Sequence, residues 1–194
     1  MQQLIRSFWV LLIGLFSLCL HAQIDFSSNF QSACPPFLVQ FQNNSAVGGS
    51  SGTYYWDFGD GTYSTIENPI KIYPIPGKYD VKLVVNGING QFSDSLTKVD
   101  YIEVFELPKA DFKILTDLRG CHPLNAQIQD LSVPKSSPIS TWLWDFGNGQ
   151  SSQIQNPVAT YTASTNTTIS LYITDQSNCS ADTAIPIEVF VTTI

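Results

Sequence analysis

The chain has 194 residues, of which 43% are hydrophobic, 12% aromatic and only 13% charged, a composition that suits packed domains and excludes a disordered tail. Sixteen acidic residues against nine Lys and Arg give a net charge of −7, so nothing in the composition favours a nucleic-acid partner.

In chain order, the first predicted element is a leader. Arg6 precedes the apolar run Phe8 to Leu20, and His21-Ala22 opens onto the polar Gln23, which is the anatomy of a secretory signal peptide over residues 1–22. The 13 residues of that run would rise only about 20 Å as a helix, short of the roughly 30 Å of a hydrocarbon core. Cleavage after Ala22 is therefore expected, with no transmembrane segment in the mature chain and a secreted, extracellular or cell-surface address. The bulky Leu18 before Cys19 does not suit lipoprotein processing. The mature chain keeps eight Lys and Arg against sixteen acids, a net charge of −8. It also keeps Cys34, Cys121 and Cys179 in a compartment where disulfides persist.

Beyond the leader the apolar period is two, as in Tyr79, Val81, Leu83 and Val85, and clusters of Gly, Pro, Asn and Ser punctuate it. This predicts about seven strands in the first unit, near 24–30, 37–42, 53–59, 62–65, 70–73, 79–86 and 91–105. Trp56-Asp57-Phe58-Gly59-Asp60-Gly61 ends the third of them. Trp56 and Phe58 are two apart and share one face, where their bulk suits a core between sheets. The glycines tolerate the positive φ of a tight hairpin.

The same run returns 88 residues later as Trp144-Asp145-Phe146-Gly147-Asn148-Gly149. That offset also carries Asn68-Pro69 onto Asn156-Pro157, Tyr73 onto Tyr161 and Leu83 onto Leu171, while Cys34 to Cys121 is 87. One module occurs twice, over 23–106 and 107–194, joined by the short linker Glu106 to Lys109. Short strands at this spacing predict an all-β fold of two tandem antiparallel β-sandwiches.

Taken together, Y-x-W-D-F-G-D-G, E-N-P-I-K-I-Y, P-G-K-Y-D-V-K-L-V-V and I-E-V-F resemble the PKD (polycystic kidney disease) domain, an immunoglobulin-like sandwich of bacterial and archaeal surface proteins, exoenzymes and polycystins. The Cys-x-Pro openings, Cys34-Pro35-Pro36 and Cys121-His122-Pro123, are similar to tandem PKD arrays of Bacteroidetes. The second copy departs from the pattern at Asn148 and where Ala163 to Thr168 replaces the Pro-Gly turn. The resemblance implies a non-enzymatic structural or adhesive module that spaces or displays other domains and contacts an extracellular protein or carbohydrate. The alternative it implies is an accessory binding region of an exoenzyme, protease or glycoside hydrolase, whose catalytic part is absent from this chain.

Some PKD domains bind calcium, which makes Asp57 and Asp60 candidate ligands. A calcium site needs six or more oxygens, and the second copy has Asn148 in place of one acid. Turn chemistry is the simpler reading and implies no cofactor. On this reading Asp60→Asn should be mild. His122 is the single histidine of the mature chain and sits in a proline-flanked turn with no serine and acid set around it, so catalysis is not expected. Tyr54, Tyr55 and Tyr63 are the one aromatic group that could face a sugar, and Trp142, Leu143 and Ser151 replace them in the second copy. Asp94-Ser95-Leu96 and Asp182-Thr183-Ala184 resemble the O-glycosylation acceptor of Bacteroidetes.

The cysteines leave two pairings open. Tandem PKD sequences often carry both cysteines in one repeat, which implies Cys121–Cys179. An immunoglobulin-like topology instead places Cys121 and Cys179 at opposite ends of their domain, and head-to-tail stacking would bring Cys34 to Cys179. Gln91 stands where the first copy would carry an equivalent of Cys179, and Cys121 would then await a third domain, as in a fragment of a longer array.

Overall fold

Val81, Leu83 and Val85 are fully buried and alternate with outward-facing neighbours, and Ile169, Leu171 and Ile173 repeat the pattern 88 positions later. Such alternation makes a strand with one dry and one wet face. The computed structural model describes residues 23–46, 52–87 and 93–192. The expected leader at 1–22, Cys19 and Gln91 lie outside the described residues.

In the first repeat the strands are β1 (Phe26–Ser28), β2 (Ser32–Ala33), β3 (Phe37–Asn43), β4 (Thr53–Asp57), β5 (Tyr63–Ser64), β6 (Ile70–Tyr73), β7 (Gly77–Asn86) and β8 (Ser93–Val104). The second repeat matches them one for one, as β9 (Phe112–Ile114), β10 (Arg119–Cys121), β11 (Leu124–Asp130), β12 (Ile139–Asp145), β13 (Ser151–Ser152), β14 (Val158–Tyr161), β15 (Thr165–Asp175) and β16 (Ser180–Thr192). Each repeat packs a three-stranded sheet, β1-β3-β6 or β9-β11-β14, on a five-stranded one, β2-β8-β7-β4-β5 or β10-β16-β15-β12-β13. The described residues are all-β, two tandem immunoglobulin-like sandwiches.

Pairing is antiparallel with one exception per repeat. Ser32–Ala33 runs parallel to Glu103–Val104, and Arg119–Cys121 runs parallel to Phe190–Thr192. This eighth strand is an addition to the seven expected. It is too short to show a period, and the long-range bonds from Glu103 N–H to the Gln31 carbonyl (2.8 Å) and from Phe105 N–H to the Ala33 carbonyl (3.0 Å) create it.

Aromatic side chains close the space between the sheets. Trp56, in the five-stranded sheet, meets Phe26 edge-on at 5.2 Å and Phe41 at 5.4 Å from the other sheet, and Trp144 meets Phe112 edge-on at 5.1 Å. Both indoles are fully buried. Burying a side chain of this size contributes about 3 kcal/mol, and the edge-to-face contacts add roughly 1 kcal/mol each.

The pairing also fixes which features share an end. Asp57 faces Lys82, and Gly77 faces Val104, so the glycine turn, the start of β7 and the end of β8 lie together. The β15–β16 hairpin lies at the opposite end, beside Ile139.

Candidate functional site

Gly59 and Gly147 have φ of +76° and +68°, and a Cβ at either would collide with the backbone oxygen of Asp80 or Thr168 on the neighbouring strand. Only glycine fits there. The acid before each glycine caps the turn: Asp57 Oδ1 accepts from Gly59 N–H at 3.0 Å, and Asp145 Oδ1 accepts from Gly147 N–H at 2.8 Å. Asp60 Oδ1 accepts from Thr62 N–H at 3.1 Å and its hydroxyl at 2.6 Å, as Asn148 Oδ1 accepts from Gln150 N–H at 3.0 Å.

The second oxygen of Asp60 has a different role. It meets Lys71 Nζ at 2.6 Å, with both side chains mostly buried. The same ammonium lies 5.7 Å from the Phe58 ring centroid and 5.6 Å from that of Tyr73. Partial burial pushes the Asp60 carboxyl up, but the hydrogen bonds from Lys71 and Thr62 outweigh it and hold the group below its ordinary value. The positive charge beside Asp60 is therefore supplied by the chain itself, and a bound cation would have to displace it. Among the described residues no group of three or more His, Cys, Asp or Glu is placed to hold a metal ion.

The expectation that Asp60→Asn is mild rested on turn chemistry alone and did not include the Lys71 contact. Position 159, equivalent to Lys71, is Ala, and Asn148 Nδ2 instead donates to the Thr160 carbonyl at 2.9 Å. Asn fits the second repeat because no ammonium awaits a partner there. Lys71 was missed because it reads as an outward residue of an alternating strand. The signal was present in the joint exchange of Asp60 and Lys71 for Asn148 and Ala159.

The tyrosine group divides. Tyr55 and Tyr63 stack at 5.6 Å, 22° from coplanar, and are 40% and 68% exposed. Tyr54 packs against the core on the other face and donates to Glu67 at 3.2 Å. In the second repeat Trp142 is partly buried and donates to Asp130 at 2.7 Å. Of the acceptor-like positions, Ser95 is exposed on β8 and Thr183 is half-buried on β16.

The cysteines give the most specific geometry. Cys34 is bonded to Cys179 with Cα atoms 5.5 Å apart, which joins the end of the first sandwich to the β15–β16 hairpin of the second across a sequence separation of 145. Cys34 follows β2, whose parallel pairing holds it beside the end of β8. Cys179 is fully buried, and the hairpin before it is shaped by the buried Asp175. Asp175 Oδ1 accepts from Ser177 N–H at 2.8 Å and Cys179 N–H at 2.9 Å, and Asn178 takes φ +62°. The Pro138 carbonyl and Ser137 hydroxyl steady the hairpin through Gln176 N–H (2.9 Å) and Ser177 N–H (3.1 Å). A second contact crosses the junction where Glu106 N–H donates to Ser136 Oγ at 2.8 Å.

Cys121 stands apart, exposed and unbonded among the described residues. Its Cα partner is Thr192, at the far end of the 13-residue β16 from Cys179. A strand of that length spans about 40 Å, whereas bonded cysteines need Cα atoms within about 7 Å. The pairing Cys121–Cys179 is thereby excluded in this fold.

A family model described as the PKD domain matches residues 24–104 and again residues 107–191. The chain belongs to the PKD domain family. Its two PKD domains meet at the short linker. The PKD1 domain of Vibrio anguillarum Epp is 30% identical, with 45% of this chain and 99% of that one covered at a TM-score of 0.41. The PKD1 domain of the Vibrio cholerae metalloprotease PrtV is 29% identical, with 44% and 99% covered at a TM-score of 0.40. Collagenase ColQ1 of Bacillus cereus is 40% identical over 63 residues, which is 31% of this chain. The chain spans only 6% and 7% of the length of the two curated collagenases it matches. No helix among the described residues is long and apolar enough to cross a membrane.

Proposed function

We propose that this PKD pair is an extracellular spacer that displays other domains away from a cell surface and contacts protein or glycan partners through its loops and outer faces. The carrying observation is the Cys34–Cys179 bond, which turns two sandwiches on a short linker into one unit. Two domains joined by a linker alone move relative to one another by default. A covalent tie between them serves a module whose work is to hold distance and direction. PKD domains are non-catalytic modules, which accords with a structural role. A persistent interdomain disulfide also suits an oxidising compartment, in keeping with the secretory leader read in residues 1–22.

Small-angle scattering of the mature protein, oxidised and then reduced, tests this. The oxidised pair should scatter as a single elongated particle, and reduction or Cys34→Ser should broaden the distance distribution while both domains stay folded. Equal flexibility in the two states would overturn the spacer reading.

The second reading, an accessory region of a secreted exoenzyme, draws on the 40% identity to a stretch of Collagenase ColQ1. Co-sedimentation with insoluble collagen separates the two. Saturable binding would favour the accessory reading, and its absence the spacer.

A further inference from the structure

The Cys121 end of the second domain repeats the short parallel pairing of the mount that holds Cys34. Moving along the chain by 87 carries Cys34 onto Cys121 and β2 onto β10. The bond from Glu103 N–H to the Gln31 carbonyl becomes Phe190 N–H to the Leu118 carbonyl at 2.8 Å, and the second repeat adds His122 N–H to the Thr192 carbonyl at 3.1 Å, where the first has Pro35, which carries no N–H. Cys34 follows, and Cys121 ends, a short strand that runs parallel to the end of the last strand. In the first domain this mount is occupied, since its cysteine is bonded to the hairpin of the next domain. In the second domain the equivalent cysteine is exposed and unbonded among the described residues. The first repeat thus shows what such a mount takes as its partner.

We infer that the Cys121 end of the second domain is a docking surface for a further domain of the same kind, one that presents a cysteine on a hairpin built like Asp175–Cys179. The inference rests on the repeated geometry and stands whether or not the pair works as a spacer. In the occupied junction the incoming domain supplies more than a thiol. Its hairpin is preshaped by the Asp175 caps, and its Ser136 hydroxyl accepts from the linker at Glu106 N–H. The partner is therefore recognised by the hairpin and by the loop beside it, with linker residues in the register of Glu106 to Lys109 after Thr192. Bond formation is an oxidation. The Cys121 thiol and the incoming thiol lose two protons and two electrons and form one S–S bond, while a disulfide oxidant such as oxidised glutathione is reduced to two thiols.

A three-domain chain tests the inference. Residues 106–194 are appended directly after Thr192, with Cys121→Ser in the appended copy to leave an even number of cysteines, and Gln176→Ala there to mark its hairpin peptide by mass. A second version carries the same copy on a ten-residue Gly/Ser linker. After equilibration in reduced and oxidised glutathione, peptide mapping should find Cys34 bonded to the original Cys179 and Cys121 bonded to the appended one. The ratio of bonded to free Cys121 should be at least about tenfold higher with the direct junction, because correct register raises the effective thiol concentration. Cys121 left alkylatable beside an intact Cys34–Cys179 bond would overturn the inference. So would equal bonding in both versions, which would reduce the surface to a reactive thiol. An appended domain that folds only on the flexible linker would overturn it as well, since the direct register would then be one the chain cannot adopt.

Discussion

Lys71 Nζ meets Asp60 Oδ2 at 2.6 Å beside the glycine turn of the first domain, and the second domain has given up both partners together. Breaking such a pair from one side leaves a half-desolvated ammonium above two aromatic rings, whereas removing both sides does not. Asp60→Asn should therefore lower the stability of the first domain by about 1–2 kcal/mol, and Asp60→Asn with Lys71→Ala should recover part of that loss. Urea denaturation of the four proteins of this double-mutant cycle checks it. Single losses that simply add in the double variant would show that the pair is not coupled.

Acid should act on the same carboxyl. Asp60 is held below its ordinary value because bonds from Lys71 and Thr62 outweigh burial, and hydrogen bonding to Lys98 lowers Asp25 in the same domain. A depressed folded pKa contributes stability that is present above the unfolded value, about 3.9, and is lost as pH falls through the folded one. The melting temperature of the first domain should hold steady down to about pH 4 and then fall. Asp60→Asn with Lys71→Ala should flatten that fall.

Trp144 Nε1 donates to the Ile154 carbonyl at 3.0 Å, while Trp56 Nε1 is buried with no hydrogen-bond partner among the described residues. Replacing either tryptophan by Ala should cost its own domain about 3–5 kcal/mol through the cavity left behind. Substitution by Phe isolates the polar difference, since the lost volume is the same in both domains. Trp144→Phe should cost about 1–3 kcal/mol more than Trp56→Phe, because the first breaks a bond and the second removes an unsatisfied donor. Chemical denaturation read separately for each domain gives the comparison, and equal costs would contradict it.

Tyr73 and Tyr161 donate to the carbonyls of Phe58 and Phe146 at 3.1 and 3.0 Å, closing each glycine turn onto the strand behind it. Burial raises both phenols, that of Tyr161 to about 12. A raised folded pKa gives stability that is complete below the unfolded value of about 10 and is lost as pH climbs from there toward the folded value. Absorbance at 295 nm should show these two tyrosines ionising only with alkaline unfolding. Tyr73→Phe and Tyr161→Phe should each cost about 1–2 kcal/mol.

Exported protein should begin at Gln23 and carry one titratable thiol. Intact mass together with alkylation before reduction checks both points. A retained Met1, a lipid on Cys19, or three reactive thiols would contradict them.

The double occurrence of the Trp-Asp-Phe-Gly run made the domain number legible, and period-two alternation around Leu83 and Leu171 made the sandwiches legible, because core packing imposes a pattern on neighbouring residues. The separation of Cys121 from Cys179 was one of two readings left open, and it rested on the strand directions of an immunoglobulin-like topology. Lys71 and Asp175 were not legible. Each acts on atoms set beside it by the fold, Lys71 through a partner 11 residues earlier and Asp175 by turning its carboxylate inward on a hairpin that reads as a polar loop. The β2 and β10 pairings escaped for a related reason, since two or three residues cannot display a period and only the far end of the repeat makes them strands.

The disulfide also changes how the chain would answer a pull on its two ends. Tension entering at Gln23 reaches Cys34, crosses to Cys179 and leaves along β16, so nearly everything between the two cysteines carries none of it. Unravelling could then lengthen residues 23–194 only to about 100 Å, against roughly 600 Å for the same residues without the bond. Most of the first sandwich, including its Trp56 core, lies in the bypassed segment. Shear would fall instead on the strands that flank the bond, and above all on β16, which is held along its length by β15 and at its end by β10.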